Sequence, residues 1–424
     1  MVNGADRLAI VCEEPATCSG QPRLKESCGR MQSSGSMEAC IVGAATSLIW
    51  SLPYLLARCG FSVDVITTSP LLRASKFVRR VERIETLDEM VDLAHERICS
   101  RERPYDWVIA GDDETLWKLS RMHWPSATEP AYLPRTREGQ IGHIFSKQGL
   151  SLALTAGGVK TPPFRMASCC ADAVLAAGEL GYPVLVKRDS DNGGNGVYRC
   201  ESADDVRKLQ AKLKHEPLLV QRLIAGREVD LSAIFFEQKL VHFAYSVIER
   251  TVQGCTALSA LRTYYPLPLV GEEIFEEVAV LGRALDANGF VSISCIEAAD
   301  GSGRYYFEAD MRPNVWVDVS RFYGEDAAER IHGWFEKAEF LRKEDLGSGA
   351  DCVPVRIPYF KRIARWELLV NRYNVWRFIP WIETSVVLRL LCARAVMPVA
   401  RSVVPHGVRK MVKRGMIVAG IAFP

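Results

Sequence analysis

Several features that would settle a function at once are missing from this 424-residue chain. Its thirteen cysteines contain no Cys-x-x-Cys and no paired spacing, which argues against a disulfide framework and for reduced thiols in a cytoplasmic protein. Residues 1–36 carry Glu13 and Glu14 and no apolar h-region, so no secretory signal is expected. The apolar run near the C-terminus is broken by Arg389, Arg394 and Arg401, which argues against a spanning helix. The turn GAATS at Gly43 lacks the second and third glycines of a dinucleotide loop. No recognised nucleic-acid module accompanies the charge, so no nucleic-acid partner is expected.

What is present reads as a soluble enzyme: 48% apolar and 25% charged residues, in a chain too long for one core, hence two or three domains. The net charge of +2 hides an asymmetry. From Lys361 onward twelve Lys/Arg face only Glu367 and Glu383, so the tail is near +10 and the rest of the chain near −8. Helical patterning, tryptophans and interleaved arginines in that tail fit two readings. One is an interfacial helix on an anionic membrane or a docking segment for a partner; the other is a helix packing its apolar stripe on the body with arginines outward. On the first, the protein is cytoplasmic and peripheral at the inner membrane surface.

Residues 1–36, rich in Ser, Gly and Cys, read as a loose extension, and Met37, where better-patterned sequence begins, is compatible with a misassigned upstream start. From 37 to 135 strand and helix alternate (MEACIVG, LLARCGFSVDVITTSP, VDLAHERIC, YDWVIAGDDE), which predicts a doubly wound α/β domain. Asp112, Asp113 and Glu114 close its last strand, either as a ligand site or as a solvated helix start. Residues 136–345 change texture to an α+β pattern, with a flap-bearing subdomain over about 150–220. A basic, mainly helical region is expected from 346 to 424.

The chemistry-bearing residues fall in three places. In IEAADGSGRYYFEADMR, two strand-like runs flank DGSG, and Gly301-Ser302 fits a two-residue hairpin loop. That register sets Glu297 opposite Tyr306 and on one face with Glu308, Asp310 and Arg312. Three carboxylates together call for a cation, and oxygen-only ligands favour Mg²⁺ or Mn²⁺; a solvated polar face is the plain alternative. In DSDNGGNGV, the run from Asn192 to Gly196 can turn several backbone N–H groups toward an anion beside Lys187, although no Gly-Lys-Ser/Thr follows to make a Walker loop. Between them, LLVQRLIAGREVDLSAIF offers backbone groups to a purine edge and Glu228 to ribose hydroxyls.

In this order the pieces resemble the ATP-grasp superfamily, in particular its carboxylate–amine ligase branch, from about Gly142 to about Gly324. Residues 37–135 match the α/β domain that usually precedes that fold less closely. The resemblance implies ATP held between two α+β subdomains under a glycine-rich flap, Mg²⁺ ions and an acyl-phosphate intermediate. By motif, Lys147 in FSKQGL and Lys187 in VLVKR match the nucleotide lysines, and Gly193, Gly194 and Gly196 the flap. Gln221, Arg222 and Leu223 match the adenine-facing hinge, and Glu228 the ribose ligand. Glu297, Glu308 and Asp310 match the metal positions, with Asp310 where asparagine is common, and Arg312 matches the arginine that steadies the transferring charge. Arg262 in SALRTYYP reads as a binder of substrate carboxylate or acyl phosphate, or as a surface arginine beside a turn. Asn314 and Trp316 line the acceptor pocket or pack the next helix, and His242 reads more readily as a core or surface histidine than as a catalyst. The implied partners are a small-molecule carboxylate and an amine, and a homodimer is compatible. A thiol acceptor and a non-catalytic ATP-binding module are the competing readings.

Overall fold

Residues 37–69, 72–135, 142–190, 196–213, 217–252, 255–349 and 352–358 are described by the computed structural model. The extension 1–36, the loop 191–195 and the basic region from 359 lie outside them.

Strands β1 (Met37–Gly43), β2 (Phe61–Thr67), β3 (Arg80–Arg83) and β4 (Trp107–Ala110) form a parallel sheet in the order β3-β2-β1-β4. The nearly continuous apolar runs of β1 and β4 suit a sheet covered on both faces. Cys40 and Val42 share a core with Met90, Val91 and Ala94 of the helix Leu87–Cys99. Ala39 and Ile41, pointing the other way, share one with Leu52, Leu55 and Leu56 of the helix Leu52–Arg58. This is the doubly wound arrangement expected from the alternating pattern.

A second, antiparallel sheet contains β5 (Phe164–Ala167), β6 (Val184–Arg188), β7 (Val197–Cys200) and β8 (Leu218–Arg222) in the order β5-β8-β6-β7. Its core is its own: Ala173, Ala177 and Leu180 of the helix Cys170–Leu180 against Val184, Val186, Leu218 and Val220.

The third sheet holds β9 (Gly226–Phe236), β10 (Lys239–Val252), β11 (Cys255–Tyr265), β12 (Gly289–Ala298), β13 (Arg304–Asp310) and β14 (Val355–Pro358), in the order β13-β12-β9-β10-β11-β14. The helix Glu272–Ala284 buries Ile274, Val278 and Leu281 in the core it shares with this sheet. Two rows run across neighbouring strands on one face: Asp230–Ser294–Glu308 and Ser232–Ser292–Asp310. β14 departs from the helical C-terminal region expected from residue 346. Val355 and Ile357 alternate with Arg356, a period of two, and are buried with Ala244 and Tyr264 along the edge of β11.

Candidate active site

The glycine-rich run joins β6 to β7. Lys187 pairs with Val197, and the Arg188 N–H donates to the Gly196 carbonyl at 2.9 Å, so Gly196, at φ +66°, stands at the foot of this hairpin. Gly193 and Gly194 lie outside the described residues. Lys187 is buried, with its Nζ 5.1 Å from the centre of the Phe307 ring. Burial pushes its ammonium down to about 8, Glu308 opposing and Lys147 adding to the shift. Lys147 opens the helix Lys147–Ala156, whose start is tied to the same hairpin. The Asp189 carbonyl accepts from the Lys147 backbone N–H at 3.2 Å and from its Nζ at 3.3 Å, while the Asp189 carboxylate accepts from Gln148 N–H at 2.7 Å. Asp189 thus links the two expected nucleotide lysines.

The hinge from β8 to β9 is tight: a Cβ on Gly226 would come within 2.1 Å of the Glu297 carbonyl oxygen, so only glycine fits. Gln221 is buried on β8; its Nε2 donates to Ser151 Oγ at 3.4 Å, and its Oε1 has no partner among the described residues. Arg222 donates from Nε to the Leu180 carbonyl at 3.1 Å. The Leu223 N–H donates to the Pro183 carbonyl at 3.1 Å and so is already committed. Glu228 is pushed up to about 7 by burial, then by Asp230 and Glu308, against the pull of Arg262 and Lys187.

At the far end stand Glu308, Asp310 and Arg312. The Glu308 carboxyl faces the open cleft, where water reaches it, yet surrounding protein and then Asp230 raise its pKa. Asp310 is raised well above the usual carboxylate range by burial, with Arg312 opposing and Glu308 adding. Arg312 donates to Asp113 Oδ1 at 3.0 Å, to Asp310 Oδ2 at 2.6 Å and to the Pro313 carbonyl at 3.4 Å. Burial works against its charge, but Asp310 and Asp113 more than offset that and its pKa is raised. Arg262 is no surface arginine. It is buried, pairs through Nη2 with Asp230 at 2.5 Å, donates from Nε to Ser259 Oγ at 2.7 Å, and lies 4.7 Å from the Trp316 ring centre.

Glu297 does not join this cluster, contrary to the expected triad. The turn is wider than two residues, so Glu297 pairs with Arg304 rather than Tyr306, and a bulge at Phe307 then reverses the alternation. Ser294, not Glu297, therefore stands across from Glu308. Glu297 instead makes an ion pair with Arg227 and comes within 4.0 Å of Arg304. Among the described residues no set of three acidic, histidine or cysteine side chains is assembled as a metal site.

One residue lining the cleft, Asp230, goes unselected by sequence reasoning, and Asp113, read there as a ligand site or a solvated helix start, is found bonded to Arg312. Asp230, two positions after Glu228 and so on its face of β9, accepts from Ser294 Oγ at 2.7 Å while pairing with Arg262; that spacing is the signal that could have found it. Asp113 reaches the site from the first sheet. Its neighbour Asp112 is structural: Oδ2 accepts from the N–H groups of Ala44 at 2.7 Å and Ala45 at 3.1 Å, and Oδ1 caps Thr115 N–H at 3.0 Å. The turn at Gly43 is thereby filled by the protein's own carboxylate. Asn314 accepts from Ser232 and donates to Ser292, and His242 is a buried core histidine bonded to Ser320.

One cavity of about 840 Å³ is bordered by Lys147, Lys187, Gln221, Arg222, Leu223, Glu228, Arg262, Glu308, Asp310 and Arg312, and not by Glu297 or His242. No protein-family model matches the sequence. Solved structures do match. N5-carboxyaminoimidazole synthase from Aspergillus clavatus, with ADP and 5-aminoimidazole ribonucleotide, is 16% identical, with 76% of this chain and 81% of that one covered at a TM-score of 0.54. The chain has an ATP-grasp fold. Biotin carboxylase from Campylobacter jejuni, as its β-γ-ATP complex, is 14% identical over 73% of each chain at a TM-score of 0.53. The biotin carboxylase domain of Hydrogenobacter thermophilus 2-oxoglutarate carboxylase, with MgADP, ADP and bicarbonate, is 14% identical over 72% of this chain and 71% of that one at 0.51. The cavity lies between the β5–β8 sheet and the face of β9, β12 and β13.

Proposed function

We propose that the chain is an ATP- and Mg²⁺-dependent carboxylate–amine ligase. A substrate carboxylate takes the γ-phosphoryl group and ADP leaves; an amine then attacks the acyl carbon, phosphate leaves and one N–H proton is lost. The observation that carries this reading is one cleft bordered by Lys147, Lys187, Gln221 and Glu228 on one side and by Glu308, Asp310 and Arg312 on the other. The neighbours with ADP, MgADP or an ATP analogue support it.

The residues fit the nucleotide. Gln221 Oε1, without a partner among the described residues, is a buried acceptor suited to an exocyclic amino group, and leaving such an atom unsatisfied costs about 1–3 kcal/mol. Lys147 and Lys187 supply phosphate charge, and Glu228, ionised above about pH 7, accepts from ribose hydroxyls. The donor set also fits a hard divalent cation: Glu308 and Asp310 are all-oxygen ligands, and Mg²⁺ bound by one or two carboxylates takes its remaining places from phosphate and water. Bound there, Mg²⁺ would neutralise charge on the phosphate oxygens. Lys187 and Arg312 add fixed positive charge on either side of the transferring group, already oriented before the reaction. Arg262, held by Asp230 and Ser259, presents a preset guanidinium to the substrate carboxylate or the acyl phosphate.

The test is ADP release across pairs of small carboxylates and amines, with hydroxylamine added to trap an acyl phosphate. Amine-dependent ADP release with a hydroxamate product is expected. Tight ATP binding without ADP release for any amine or thiol pair would leave a non-catalytic nucleotide-binding module.

A further inference from the structure

Arg312 sits between two carboxylates that come from different parts of the chain. Asp310 precedes it by two residues on β13, whereas Asp113 arrives from the start of the helix Asp113–Leu119, at the end of the first sheet. That helix start is fixed independently of β13. Asp112 caps it and also takes the Ala44 and Ala45 amides at the end of β1. The preceding Gly111 is pressed so closely that a Cβ there would come within 2.2 Å of Ile49. Asp113 is therefore a stationary acceptor that draws the Nε edge of Arg312 to itself, leaving Asp310 to meet the guanidinium through Oδ2 and Nη2 alone.

We propose that Asp113 is a positioning residue that holds Arg312 off Asp310 and so keeps Asp310 open to the divalent cation. This rests on the reading of the cleft as an Mg·ATP site. Guanidinium and carboxylate prefer the two-bond, fork-to-fork arrangement when nothing else competes. Without Asp113, the Arg312 fork closes on both oxygens of Asp310 and masks it; Asp113 acts through Arg312. The device also explains the acidic run after β4: Asp112 fixes the helix start and Asp113 uses that fixed point to divide one arginine between two acids.

The experiment uses the full chain and Mn²⁺ as the probe. Free Mn²⁺ is read by electron paramagnetic resonance in the presence of ADP, and ADP binding is measured separately in chelator. Asp113→Asn is expected to weaken Mn²⁺ binding about tenfold, within the range for residues that orient metal ligands, and to leave metal-free ADP affinity unchanged. In an Arg312→Gln background, the same Asp113→Asn change is expected to alter Mn²⁺ affinity less than about twofold, because nothing remains to be held off. A tenfold loss that persists in that background, or no loss in the single variant, overturns the proposal. Asp113→Ser, with a side chain favoured at helix starts, gives the same reading should the Asn variant fold poorly. Wild-type protein that binds neither ADP nor Mn²⁺ with ADP would instead sink the nucleotide-site reading. Wild-type binding with an inert Asp113→Asn variant sinks this inference alone.

Discussion

Glu297 and Glu308 carry the same side chain on one hairpin, yet the register gives them different work. Glu308 opens into the cleft beside Lys187 and Asp230, whereas Glu297 is committed to Arg227 on the opposite side of the pleat. Glu308→Gln is expected to reduce ADP release at least ~100-fold, as the loss of a group that acts in the transition state does. Glu297→Gln, which loses only a partly exposed ion pair, should stay within about twofold. Equal losses in steady-state assays of the two variants would refute the assignment. Lys187 supplies a second test, through pH. Its folded-state pKa of about 8 lies below the unfolded value near 10.5, so between those limits the unfolded chain binds more protons and the fold gains stability as pH rises, by roughly 3 kcal/mol in all. Nucleotide binding should move the other way, since a neutral Lys187 no longer attracts phosphate. ADP affinity is expected to fall up to ~10-fold from pH 7.5 to 9.5, and Lys187→Arg, charged throughout, should flatten the profile. A wild-type profile as flat as the variant's would remove Lys187 from the phosphate site.

Elements show which parts of this site were legible in sequence. The first sheet could be read from its alternation of buried strand and capped helix, because each piece is specified by residues within a few positions of one another: Thr86 capping Glu89, Asp112 capping Thr115. Lys147, Lys187, Gln221, Glu228, Glu308, Asp310 and Arg312 were found by motif order, and the fold brings all of them to one cavity. The β12–β13 hairpin was misread at one end. The wider turn changes which residues oppose each other and the bulge at Phe307 breaks the alternation of β13, and neither leaves a clear trace in DGSGRYYFEAD. Contacts between distant elements were out of reach for a different reason. That Asp113 would meet Arg312 depends on how the first and third sheets are brought together, and that Asp230 would meet Arg262 on the strand order and register within the third; no local pattern encodes either. The commitment of the Leu223 N–H to Pro183 was likewise invisible, since it depends on the depth at which β6 enters beside β8.

For the whole molecule, the distribution of cores matters more than any one contact. The sheet of β5–β8 has a core of its own, separate from the one shared by the first and third sheets. Two cores joined through a tight hinge at Gly226 can open separately, and the less stable one sets how often the cleft gapes. On the proposed reading, a nucleotide held by Lys187 and Gln221 from one side and by Glu228 and Glu308 from the other would bind only with the two sheets together, and would stabilise that arrangement by mass action. At an ADP concentration 100 times the dissociation constant, with Mg²⁺ present, the gain is about 2.7 kcal/mol. Amide exchange that requires opening of the cleft should then slow about 100-fold. Hydrogen exchange followed by mass spectrometry should show that slowing in peptides covering β6 and β8 as well as β9 and β13. Slowing confined to β9 and β13 would mean that the glycine hairpin and its sheet do not hold the nucleotide, and the ATP site would have to be rebuilt from the third sheet alone.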